Sequence, residues 1–193
     1  MNYPLTAKPL TLPLSRSHPA RPPRGVTMLE CLIAVTVTAL ALGAALPGFE
    51  QARERRHLEG AAAQLETDIM HTRSLAVAQN QGVRMGFESL PAGTCYTVHT
   101  GAANACSCDA SGAATCSAGA EAIRTVYFPA QGPVALRSNV RSILFDPRLG
   151  TSTPTGTLRV VGRSEAAIHQ IVNIMGRVRS CSPAGSVPGL PRC

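Results

Sequence analysis

The sequence predicts an α+β fold: a long N-terminal helix, apolar in its first part, packed through its second part on a C-terminal antiparallel β-sheet domain. Three observations carry that expectation. Residues 26–46 form an apolar run with one charged side chain, Glu30. Residues 58–76 repeat apolar side chains at helical spacing. Beyond Gly82 the pattern changes to short β-like runs separated by turn residues. The expected organisation is a leader at residues 1–25, a membrane-spanning helix at 26–46, its continuation at 47–81 and a β-rich domain at 82–193.

The leader holds Pro4, Pro9, Pro13, Pro19, Pro22 and Pro23, which argues against a helix there. It lacks the apolar core and small-residue site of a secretory signal, so it lies outside the fold. Val26–Leu46 is 21 residues long, close to the roughly 20 that cross a bilayer as a helix. Arg24, Arg21 and Arg16 precede it and favour a cytoplasmic N-terminal end, which puts the rest of the chain outside the inner membrane. Pro47-Gly48 follows and would end a helix in a soluble protein.

From Phe49 to about Asn80 there is no further proline. Leu58, Ala62, Leu65, Ile69, Thr72, Leu75 and Ala76 form a one-sided stripe. Arg53, Glu54, Arg56 and Glu59 fall mostly on the other side. Asn80-Gln81-Gly82 predicts the stop, with glycine past the last turn. Strands are expected at Val83–Glu88, Thr94–His99, Arg124–Phe128, Val134–Arg137, Ser142–Phe145, Thr157–Val161, Ala167–Met175 and Val178–Ser180. Gly101–Ala120 reads as a loop stapled by disulfides, and Asp146-Pro147 and Thr151–Gly156 read as turns.

Of seven cysteines, Cys31 lies in the apolar run and six follow it: Cys95, Cys106, Cys108, Cys116, Cys181 and Cys193. An even number beyond an anchor fits an oxidising compartment and disulfides. Cys181–Cys193 is the favoured pair because it closes a short Pro/Gly-rich loop; the sequence leaves the other four open. A metal site at Cys95, Cys106, Cys108, Cys116 and His99 is disfavoured, since zinc sites space paired cysteines two to four residues apart and Cys106-Ser-Cys108 is tighter.

Charge is uneven. The chain is +7 overall, and losing the leader's Lys8, Arg16, Arg21 and Arg24 lowers that to +3. Arg124–Cys193 carries nine arginines against Asp146 and Glu165. Such asymmetry points to an anionic partner for the C-terminal half, with a merely solubilising arginine surface as the alternative.

Gly25-Val26-Thr27-Met28-Leu29-Glu30 after a basic leader resembles the cleavage signal of type IV prepilins and type II secretion pseudopilins. Val26 departs from that pattern, which usually has an aromatic residue or Met there. The resemblance implies cleavage by prepilin peptidase after Gly25, N-methylation of the new amine at Val26, and a kinked helix across the proline near residue 47. It also implies that Glu30 neutralises the amine of a neighbouring subunit. Independently, an acid in a membrane segment needs a partner or must become neutral; a tolerated Glu near the interface is the alternative.

The chain closes with Gly176-Arg177-Val178-Arg179-Ser180-Cys181. This ending resembles the GspH/FimT family of minor pilins and pseudopilins, and Phe145…Gly150…Gly156–Val160 fits its late-strand pattern less distinctively. Alternation along a strand puts Arg177 and Arg179 on one face, about 7 Å apart, and guanidinium forks bind phosphate. Gly176 lets the backbone turn or approach a ligand. The FimT branch implies DNA binding in natural transformation, carried by Arg177 and Arg179. Arg192, Arg163 and Arg159 extend the patch by charge and proximity in sequence. Pairing of the arginines with Glu, or packing on neighbouring subunits, is the alternative. The segment has no aromatic residue, so stacking platforms are not indicated.

No nucleotide loop, catalytic triad or acid pair is present in the sequence, so no enzymatic activity, cofactor or metal is expected. The expected partners are prepilin peptidase, other pilins or pseudopilins, DNA and the inner membrane. The fibre is a type IV pilus, or alternatively the pseudopilus of type II secretion.

Overall fold

A computed structural model describes residues 25–109 and 111–193, with 45–47 and 184 through their backbone alone. The expected leader, up to residue 24, lies outside the described residues. The chain divides into two compact units, Met1–Ala44 and Ala45–Cys193. One helix, α1 (Met28–Gln79), contributes to both.

In the first unit every described residue from Gly25 to Ala44 is exposed within the protein. Apolar side chains with nothing packed on them belong in lipid or against other chains. Among the described residues α1 is the one helix long and apolar enough to cross a membrane.

The second unit holds the core. Leu58, Ala62, Leu65, Ile69, Thr72 and Ala76 of α1 are buried, at the spacing of one helix face. They share a core with two antiparallel sheets; a short hairpin packs beside the first sheet. The strands are β1 (Val83–Leu90), β2 (Gly93–Thr100), β3 (Cys106–Cys108), β4 (Ala114–Cys116), β5 (Ala122–Pro129), β6 (Val134–Ser138), β7 (Ser142–Phe145), β8 (Ser152–Thr153), β9 (Gly156–Gly162), β10 (Ala167–Val172) and β11 (Val178–Cys181). One sheet has the order β5-β2-β1-β7-β8, the other β11-β10-β9-β6, and β3-β4 stands as a separate pair. Val83, Met85, Tyr96, Val98, Ile143 and Phe145 from the first sheet share one core with Leu136, Leu158, Val160, Ile168 and Val172 from the second.

Polar contacts fix how α1 lies on the sheets. Gln170 Nε2 donates to Ala62 O at 3.1 Å, and Ser180 Oγ donates to Glu66 Oε2 at 2.8 Å. Asp68, buried on the helix, accepts from Tyr96 Oη at 2.5 Å and pairs with Arg124 Nε at 2.9 Å. Burial, and then the carboxylate beside it, pushes the Tyr96 hydroxyl well above its usual value, so it stays a donor.

Several boundaries differ from the sequence expectation. α1 stops at the expected Asn80-Gln81-Gly82, but Asn80 rather than Gly82 takes the left-handed place, with φ 49°. Its N–H reaches Val77 O at 3.3 Å and that of Gln81 reaches Ala76 O at 3.2 Å. This is a Schellman cap with asparagine in the glycine place. The Gly101–Ala120 loop contains β3 and β4, and the Thr151–Gly156 turn contains β8. β10 ends at Val172 rather than Met175, because residues 173–177 turn back: Asn173 N–H bonds Arg177 O at 3.0 Å and Gly176 adopts φ 67°.

Candidate functional site

The N-terminal end of α1 is built by two residues of the cleavage-like motif. Thr27 Oγ1 accepts the Glu30 N–H at 3.3 Å, and Thr27 O accepts the Cys31 N–H at 3.2 Å. Thr27 is therefore the N-cap and Glu30 the third helical residue, the spacing of a capping box. The sequence reading missed this second role, although Thr-x-x-Glu before an apolar run is its signature. Gly25 and Val26 precede the helix and are exposed. Glu30 is exposed in the first turn, where the helix dipole favours an acid.

Four of the arginines of the C-terminal half, Arg137, Arg159, Arg177 and Arg179, lie on or beside the outer face of the four-stranded sheet. Arg179 is exposed, while Val178 packs on the core and Ser180 turns toward α1. Arg177 is exposed one residue before β11 and continues the alternation. Arg159 is exposed between buried Leu158 and Val160, and Arg137 is exposed beside buried Leu136. Register then aligns a row across four strands: Arg137 opposes Arg159, Arg159 opposes His169, and His169 opposes Cys181.

This row has an energetic signature. Like charges directly opposite on neighbouring strands destabilise a sheet. Among the described residues the ion pairs are Arg55–Glu59 and Arg124–Asp68, so none of Arg137, Arg159, Arg177 and Arg179 has a carboxylate partner there. His169 feels the same field: burial and then Arg159 lower its pKa. Sequence reasoning missed Arg137, because only register brings residue 137 beside 159.

The remaining expected residues lie around this face. Arg163 sits in the β9–β10 turn and donates from Nη2 to Gln131 O at 2.7 Å and from Nε to Gly132 O at 3.3 Å. Arg192 is exposed and bridges to Ser182, past the end of β11 remote from Arg177. Gly176 turns the chain, and its close approach is to the protein itself. A Cβ there would meet Gly150 O at 2.5 Å and Arg73 Nε at 2.9 Å.

Cys181 is bonded to Cys193, Cys106 to Cys116 and Cys95 to Cys108. The first closes the tail onto β11 and brings Cys193 Sγ to 3.6 Å from His169 Nδ1. Glu88 groups with Cys95 and Cys108, but sulfurs bonded to each other are not thiolate ligands. Glu88 Oε2 instead accepts the Cys108 N–H at 2.8 Å. His99 is buried with Nδ1 at 2.9 Å from Thr100 O.

The family described as type II transport protein GspH matches residues 61–176, more than half of the chain. The chain belongs to the GspH family. The match ends at Gly176, so Arg177, Arg179 and Cys181 lie beyond it. The type IV minor pilin FimU of Pseudomonas aeruginosa has a similar fold. One crystal form aligns with a TM-score of 0.51 at 16% identity, covering 69% of this chain and 98% of that one. A second crystal form gives 0.48 at 16% identity, covering 67% and 100%. No curated protein matches the chain. This GspH-family chain is thus a minor pilin or pseudopilin by family, with the pilin architecture of helix on antiparallel sheets. It comes from a family of structural subunits, with an apolar N-terminal helix suited to membrane anchoring.

Proposed function

We propose that this chain is a FimT-like minor type IV pilin whose arginine face binds DNA phosphates without sequence preference during natural transformation. Prepilin peptidase cuts after Gly25, Val26 becomes the N-methylated terminus, and residues 26–46 hold the subunit in the inner membrane with its β domain in the periplasm. Glu30 then neutralises the amine of a neighbouring subunit as the fibre assembles.

The observation that carries the DNA reading is the set Arg137, Arg159, Arg177 and Arg179, exposed on one sheet face with no carboxylate partner among the described residues. Opposed cations cost stability unless an anion neutralises them. Guanidinium rows a few ångströms apart suit successive phosphates. The Cys181–Cys193 bond stiffens the strand end that presents them.

Salt-titrated binding of duplex DNA to the full-length protein in detergent micelles tests this reading. Binding is expected to weaken steeply with salt, and R177Q/R179Q to lower both affinity and the log–log slope, the latter by about 2. An unchanged slope in the variant, or no binding by the unaltered protein at low salt, sinks it. A GspH-like pseudopilin of type II secretion is the second reading, favoured by the description of the matching family. A deletion strain that loses protein export but keeps transformation supports that alternative.

A further inference from the structure

The turn between β10 and β11 carries two exposed apolar side chains, Ile174 and Met175, 62% and 53% accessible. Beside it the Asp146–Thr151 turn displays Leu149 at 73%. The two turns are braced against each other. Ser152 N–H donates to Ile174 O at 2.9 Å, and Ser152 Oγ to Asn173 O at 2.6 Å. Arg73 Nε, from α1, donates to Gly150 O at 2.8 Å, where the bare Gly176 leaves room for that carbonyl. Asn173 Oδ1 accepts the Arg177 N–H at 3.0 Å, which locks the apolar turn to the arginine strand. Asp146 Oδ1 accepts the N–H groups of Arg148 and Leu149, both at 2.9 Å.

Single exposed apolar residues need no explanation. Three on a braced tip, beside Arg177 and Arg179 without ion-pair partners among the described residues, suit a ligand with an apolar surface next to anionic groups. Nucleic acid has that chemistry, since base faces lie just inside the phosphates. Aliphatic wedges of Leu, Ile and Met enter and unstack base steps in other proteins. An anionic bilayer also pairs phosphate with apolar matter. Arg137, Arg159 and Arg179, however, leave the flat face of the sheet, whereas the tip leaves its end. A flat membrane meets one or the other; a bending strand meets both.

We propose that Leu149, Ile174 and Met175 form a wedge against unstacked bases, so that the ligand of this face is nucleic acid with accessible bases, single-stranded or kinked. This rests on the DNA-binding reading of the arginine face. It adds that the phosphate contacts of Arg177 and Arg179 position a strand whose bases the wedge then touches.

Titration of full-length protein in detergent micelles with oligonucleotides containing 2-aminopurine reads affinity and unstacking together. The single strand is expected to bind about 10-fold more tightly than its duplex, with fluorescence rising on binding. I174S/M175S is expected to lose that preference and the fluorescence rise while keeping its salt slope. Leu149→Ser, tested separately, shifts both readouts in the same direction. Unchanged thermal unfolding of these surface variants shows that the fold is intact. Equal binding of both forms without a fluorescence change overturns the wedge and leaves the arginine reading standing. No binding of either form overturns both. If I174S/M175S instead loses binding to phosphatidylglycerol vesicles and keeps wild-type DNA binding, the tip is a lipid contact and the proposal falls.

Discussion

Arg137 and Arg159 face each other across β6 and β9, and the next residue in the row, His169, is held toward its neutral form by burial and by Arg159. Its folded pKa is depressed below the unfolded value of about 6.5. The unfolded chain therefore binds the proton first. The stabilising contribution is full above that pH and is lost as pH falls through the folded value. Denaturant unfolding is expected to show stability declining on acidification below about pH 6.5, and His169→Gln to flatten that decline. Gly176→Ala places a Cβ against Gly150 O and Arg73 at positive φ; a loss of about 2 kcal/mol or more is expected in the same measurement. Tyr96→Phe removes a buried donor to Asp68 and is expected to cost about 1.5–3 kcal/mol.

At the scale of elements, what was legible followed regular periodicity. The stripe from Leu58 to Ala76 is readable because a helix repeats its buried face every three or four residues, and five of its seven members besides Thr72 and Leu75 are core side chains. Leu65→Ala is expected to destabilise by about 2–5 kcal/mol in denaturant titrations, through lost burial and the cavity left behind. The strands that escaped notice are too short to show a period, and each is defined by its pairing with a neighbouring strand. β3 and β4 have three residues each, too few for a pattern, and Cys106 pairs in register with Cys116, to which it is also bonded. β8 has two residues and forms because β7 is beside it. Residues 173–175 read as strand because Ile174 and Met175 are apolar, yet Asn173 and the positive φ of Gly176 close a turn there. Arginines 177 and 179 were visible through the Gly-Arg-x-Arg resemblance, with strand alternation placing them on one face. Arg137 was not, because sequence does not state register.

The whole molecule joins two units with different solvents. From Gly25 to Ala44 the described residues bury nothing within the chain, whereas the second unit closes one core around α1 and two sheets. Family and fold agree on a pilin-type subunit, and the proposed precursor logic gives each end a task. At the N-terminal end Thr27, one residue past the proposed new terminus, caps α1 by accepting the Glu30 N–H, while the C-terminal end displays its arginines beside the Cys181–Cys193 clasp. Opening that clasp with Cys193→Ala is expected to lower stability by about 2–4 kcal/mol, seen as an earlier unfolding transition under non-reducing conditions. The central claim is that the working form is a processed fibre subunit. Mass spectrometry of the protein from sheared fibres, in cells with a functioning assembly system, tests it most directly. A polypeptide beginning at methylated Val26 is expected; a chain that still carries residues 1–25 would mean that the fibre subunit is not processed there.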